Sequence, residues 1–241
     1  MFDRTYPVDA IREQSLVRSF FAGVYAWMFL GLLLTAFVSV AVHSIIIPGT
    51  SLSIGRIIAT NSILFWALFL GELILVFALV GLINKIPSFI AAGLFLLYSA
   101  VNGMTLSTIF LIYSLPAIGF TFLITAGMFG IMSFFGFVTK MDLSRFGSIF
   151  FMALIGLILA SIVNIFLASS FMYWMITYAG VLIFIGLTAY DTQKLKRIAL
   201  GFEDAEQETS KKASIIGALA LYLDFINLFL FLLRIFGGRR R

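Results

Sequence analysis

The sequence predicts an all-α, polytopic membrane protein with seven transmembrane helices, and three observations carry that prediction. The 241-residue chain is 62% hydrophobic and only 11% charged, where a water-facing domain carries roughly 25% charged residues. Its apolar residues fall into seven runs of about 20, the length that crosses a bilayer core at a helix's rise per residue. The polar and basic residues collect in the short breaks between those runs.

Residues 1–19 are polar and mixed in charge, and 8–19 reads as a solvated lead-in or a short amphipathic surface helix. The apolar run that follows is far longer than a signal-peptide core, so no cleavable signal is expected. The first span covers 20–42 and stops before His43, where I-P-G-T-S-L-S makes a turn. The second, 57–83, contains Glu72 and ends at N-K-I-P-S. The third is 89–113 and the fourth 116–138, leaving through T-K-M-D-L-S-R. The fifth is 147–168 and the sixth 172–191. A polar loop over 192–212 leads to the seventh span, 213–236, and a basic tail, 237–241. The whole of 1–241 reads as one transmembrane helical domain without internal repeats. Small residues at close-packing spacing, Ser99/Gly103 and Gly156/Ala160, permit close helix approach in lipid.

Charge sets the expected orientation. With the N-terminus in the cytoplasm, eleven of the sixteen basic residues lie inside, and four of the remaining five (Arg234, Arg239, Arg240 and Arg241) lie at the C-terminus. The first six spans obey the positive-inside rule and the seventh breaks it. Early spans dominate orientation, so a C-terminus outside is expected, with re-entry of the last segment as the alternative. The net charge of +5 is then topology and not a nucleic-acid surface. There is no Cys, which excludes disulfides, thiolate catalysis and Cys-based metal sites, and His43 stands alone, which excludes a histidine metal cluster. No cofactor is expected, and the chain is expected to be a monomer in the cytoplasmic membrane.

Three acids stand out against this background. Asp191 lies in Y-D-T-Q-K-L, Asp224 in L-Y-L-D-F-I-N-L-F and Glu72 in L-F-L-G-E-L-I-L. An ionisable group at membrane depth is expensive, so it points to function by default. Two carboxylates in contact cannot both ionise readily, and such a pair shares a proton. Protonated, it is neutral and hydrogen-bonded. Ionised, it repels itself apart and attracts a hard cation such as calcium, which prefers oxygen ligands. Depth opposes the pairing, however. Asp191 is three residues from Lys194, whereas Asp224 is twelve residues past Lys212, about 18 Å along a helix. The structural alternatives are a helix-end carboxylate at the interface for Asp191 and a neutral helix–helix hydrogen bond for Glu72. Asn102, Thr105, Ser107 and Asn164 are candidates to line a polar path, or to hold helices together. His43 reads as an interfacial residue.

The stretches L-Y-L-D-F-I-N-L-F-L-F-L-L-R (221–234), N-G-M-T-L-S (102–107) and Y-D-T-Q-K-L (190–195) resemble the Bax inhibitor family, and the resemblance runs from the first span to the tail. It implies a seven-helix fold with the last helix central, and a pH-sensitive calcium-leak channel. It also implies that Asp191 and Asp224 are the hydrogen-bonded sensor and calcium-facing pair, and that Glu72 matches a family glutamate in the second span. Some relatives carry a basic residue near the end of that span that latches the aspartates. Here Ile83 and Asn84 occupy the place, and Lys85 is the nearest cation. Other bacterial relatives are discussed as partners of a membrane quality-control protease, which leaves an interaction role as the alternative function. An intramembrane aspartyl protease is disfavoured because no G-x-G-D precedes Asp224, and a retinal protein because no Lys lies inside the last span. The chain is therefore not expected to be an enzyme.

Overall fold

The computed structural model describes residues 6–48, 52–202 and 207–238, with side chains from residue 14 onward. Nine helices occur among the described residues: α1 (Tyr6–Ser44), α2 (Ile54–Thr60), α3 (Ser62–Leu82), α4 (Ser88–Leu106), α5 (Ile109–Ile112), α6 (Leu115–Val138), α7 (Ser144–Leu167), α8 (Ser170–Leu200) and α9 (Gln207–Phe236). Seven helical segments are long and apolar enough to cross a membrane: 14–44, 62–82, 88–112, 115–138, 144–167, 170–200 and 207–236. They agree with the seven predicted spans. Backbone groups in hydrocarbon have no water to bond, so each crossing segment must close its hydrogen bonds within itself.

Two differences from the sequence reading concern the polar ends. The lead-in 8–19 is not separate from the first span, because α1 continues through it. The polar stretch 192–212 is mostly helix: α8 runs to Leu200 and α9 starts at Gln207. Gln, Lys, Leu, Ala and Glu dominate this stretch and are strong helix formers. Hydropathy registers where a helix leaves the apolar phase, not where it ends. Arg239, Arg240 and Arg241 of the basic tail lie outside the described residues.

The chain divides into two compact units, residues 1–112 with 198–219, and residues 113–197 with 220–241. In the first unit α1 packs on α4. An added Cβ at Gly103 would meet Thr35 O at 2.7 Å and Val38 Cβ at 2.9 Å, and Thr35 Oγ1 donates to Ser99 O at 2.8 Å. The Ser99/Gly103 pair thus permits close approach, as its spacing predicts. Gly156 does not, having nothing within 4 Å of an added Cβ. In the second unit, Leu157, Ile176, Phe184, Leu228, Phe231 and Leu232 form a core. Of the seven spans α9 is the most buried, at 72% of its apolar window against 44% or less for the others.

Candidate functional site

Glu72 is 9% exposed in the first unit. Asn102 Nδ2 donates to Glu72 Oε2 at 3.1 Å, and Thr105 Oγ1 donates to Oε1 at 2.6 Å. Asn102 and Thr105 sit three apart on α4, so one helical face presents both donors to α3. Glu72 is held as an acceptor on both oxygens, the arrangement a carboxylate needs in order to be buried. The other two polar candidates bond to their own chain: Ser107 Oγ donates to Met104 O, and Asn164 Oδ1 accepts from the Ser169 amide. Lys85 is exposed in the turn after α3. His43 is in the last turn of α1, with its ring 5.0 Å from that of Phe110, and among the described residues its buried Nδ1 has no hydrogen-bond partner.

The aspartates belong to the second unit. Asp191 is not at a helix end, because α8 continues nine residues beyond it to Leu200, about 13 Å at helical rise. The extension carries Lys194, Lys196 and Arg197 on helix instead of loop. Asp191 is half-buried and Asp224 is 4% exposed. Asp191 is the charged neighbour whose field acts on Asp224, and Lys194 is the one that acts on Asp191. Among the described residues no hydrogen bond joins the two carboxyls, and none of them gives the buried Asp224 Oδ2 a partner. A buried carboxyl oxygen with nothing to bond requires a proton, an ion or water. Among the described residues no three His, Asp or Glu side chains cluster as metal ligands.

What the sequence reading missed is the brace that fixes Asp191. An added Cβ at Gly136 of α6 would lie 2.9 Å from both Cα and C of Ala189, with the Ala189 carbonyl oxygen closer still. One turn away, the Ser133 and Thr192 hydroxyls bond at 2.9 Å. Gln193 then grips the loop that follows α6: its Nε2 donates to Met141 O at 2.7 Å, and its Oε1 accepts from the Leu143 amide at 2.8 Å. Lys196 Nζ donates to Phe137 O at 2.8 Å, satisfying a carbonyl in the last turn of α6. At the exposed end Arg197 donates to Ser144 Oγ and pairs with Asp142. Hydrogen bonds from the Ser144 hydroxyl and amide hold the Asp142 carboxyl below the usual carboxylate range. The signal in the sequence was the polar run T-Q-K-L-K-R at helical spacing directly after Asp191. α6, its following loop and α8 therefore form one braced element around Asp191, whereas Asp224 stands on α9 among Leu221, Tyr222, Phe225 and Leu228, all buried.

Seven helical segments long and apolar enough to cross a membrane, three of them carrying one of these acids, define a polytopic helical membrane protein. The family described as "Inhibitor of apoptosis-promoting Bax1" matches residues 17–241, and the chain belongs to this Bax inhibitor family. It is 47% identical over 230 residues to the inner membrane protein YbhL of Escherichia coli K12, covering 95% of this chain and 96% of that one. An uncharacterised protein of Borreliella burgdorferi is 44% identical over 230 residues, with 95% and 96% covered. An uncharacterised membrane protein of Streptococcus pyogenes serotype M6 is 39% identical over 222 residues, with 92% and 93% covered.

Proposed function

We propose that this chain is a proton-gated calcium leak of the bacterial inner membrane, with its N-terminus in the cytoplasm and the pair Asp191 and Asp224 as the gate. The observation that carries this reading is the unpartnered, buried Oδ2 of Asp224 within electrostatic reach of Asp191. In the closed state the pair holds one proton, which cancels most of the repulsion. When that proton leaves, two like charges face each other in a medium of low dielectric, and the pair separates. Asp191 is braced on α8, so the separation falls to α9. The ionised oxygens then offer hard ligands to calcium, with carbonyls or water completing its usual six to eight oxygens. Calcium is the cargo here, and no resident cofactor is needed. Glu72, with Asn102 and Thr105, is a polar station at membrane depth suited to a passing cation, and Lys85 is the cation nearest the place of the missing latch.

The test is an infrared titration in lipid from about pH 8 to about pH 6. A protonated-carboxyl band should grow in the wild type and be missing in Asp224→Asn. A band unchanged in Asp224→Asn refutes the shared proton. The second reading is a monomeric adaptor for a membrane quality-control protease. It is supported by the exposed polar end formed by Asp142, Lys194 and Arg197 and requires neither proton binding nor flux.

A further inference from the structure

The second unit contains a cavity of about 560 Å³ that shares only Asn164 and its partner Ser169 with the candidate site. It lies where α7 ends, α8 begins and α9 ends, and Tyr113, Asn164, Ser169, Tyr173, Trp174 and Arg234 are among its lining residues. Ala168, the left-handed residue closing α7, turns the chain there (φ 48°), and the Asn164–Ser169 hydrogen bond fixes the turn.

Arg234, exposed at the end of α9, supplies the charge of this cavity. Its guanidinium lies 5.4 Å from the ring centroid of Tyr173 and 5.0 Å from that of Phe231. Two aromatic faces orient a cation without neutralising it. The only ion pair among the described residues is Arg197–Asp142. The acids of this unit are Asp142, Asp191 and Asp224, and none of them lines the cavity. Asp224 is ten residues back along α9, about 15 Å. The positive end of the α8 dipole adds to the same field, and the three residues that follow Gly238 in sequence are all arginine. Tyr113, Ser169 and Tyr173 bring hydroxyl-bearing side chains to the lining of the same cavity. Trp174 is 40% exposed and Tyr173 37%, as amphipathic rings are at the headgroup level of a membrane. A planar guanidinium with five fixed donors matches an anionic oxygen fork. An open, ring-walled cavity at the end of a bundle gives that fork room for an attached chain.

The geometry points to a phosphate-binding site in this cavity, in which Arg234 takes a phosphodiester or phosphomonoester oxygen pair and Trp174 and Tyr173 pack on the ester arm. A site at the end of membrane-spanning helices meets this chemistry in two forms, an anionic lipid headgroup and a water-borne phosphate ester.

The test uses the full chain with Trp27→Phe and Trp66→Phe, leaving Trp174 as the single reporter in vesicles. Brominated phosphatidylglycerol and brominated phosphatidylcholine are compared as quenchers, and glycerol 3-phosphate is then added from the water side. The expected result is quenching by phosphatidylglycerol at about fivefold lower mole fraction than by phosphatidylcholine. The preference should vanish in Arg234→Gln and survive in part in Arg234→Lys, which keeps the charge but loses the planar fork and also reports that the fold is intact. A preference that glycerol 3-phosphate does not relieve identifies the lipid as the source. Equal quenching by both lipids, with a glycerol 3-phosphate response that Arg234→Gln abolishes, identifies a water-borne ester. Equal quenching and no phosphate response overturn the site. A phosphatidylglycerol preference unchanged in Arg234→Gln also overturns it, because the charge of the tail then suffices.

Discussion

Gly136 offers a sharp test of the brace that holds Asp191. In Gly136→Ala the new Cβ would sit 2.9 Å from Cα and C of Ala189, and ordinary carbon contact begins at 3.4 Å. The helices must therefore part by about half an ångström, and by more at the carbonyl oxygen, with backbone on both sides and no flexible side chain to absorb the strain. Overpacking of this kind costs about 1–3 kcal/mol. The same substitution gains up to about 1 kcal/mol of helix propensity, which blurs a single measurement. Gly156 supplies the control, because an added Cβ there has nothing within 4 Å. Both variants share the propensity term, so their difference isolates the overpacking term of about 1–3 kcal/mol. Reversible unfolding in mixed detergent micelles should show Gly156→Ala equal to or above the wild type and Gly136→Ala below it by that margin. Asp191 lies two residues past Ala189, so Gly136→Ala should also alter the pH dependence of any flux, and Gly156→Ala should not. Equal stability of the two variants would refute the close approach of α6 and α8.

Further outcomes follow from the same contacts. Gln193→Ala removes both ties to the loop after α6 and should cost about 1–3 kcal/mol, with faster amide exchange at Leu143 measured by mass spectrometry. Glu72→Ala removes the acceptor that Asn102 and Thr105 share and should lower stability by about 1–3 kcal/mol, while Glu72→Gln, which keeps an acceptor, should recover part of it in the same unfolding assay. Asp142 has its pKa lowered in the folded state by the Ser144 hydrogen bonds. The tie is therefore complete above the usual carboxylate value of about 4 and is lost as pH falls through the lower folded value. Amide exchange at Ser144 should stay slow down to about pH 4 and rise below it, and Asp142→Asn should remove the pH step.

The spans were legible because about 20 apolar residues in a row leave a chain few alternatives, and each predicted span finds its helix. The ends of α8 and α9 were not. Residues 192–200 and 207–212 are helical yet polar, and hydropathy reads polarity as loop. That error placed Asp191 at the end of its span, whereas α8 continues nine residues beyond it. Glu72 was legible as an anomaly, and N-G-M-T-L-S was legible as a motif. Their meeting was not legible, because a hydrogen bond between residues 30 apart in sequence depends on how α3 turns its face to α4. The brace around Asp191 was hidden for the same reason. Gly136, Ser133 and Gln193 carry no signal singly, and their roles exist only once α6 lies against α8.

Calcium flux into dye-loaded proteoliposomes, from about pH 6 to about pH 8, is the measurement that decides the account. The wild type should conduct more as pH rises through the titration of the pair. Asp191→Asn and Asp224→Asn, at equal protein load, should each lose that pH dependence. Flux no greater than that of empty liposomes at every pH would contradict the channel and leave the adaptor reading, with the two aspartates as helix-packing groups.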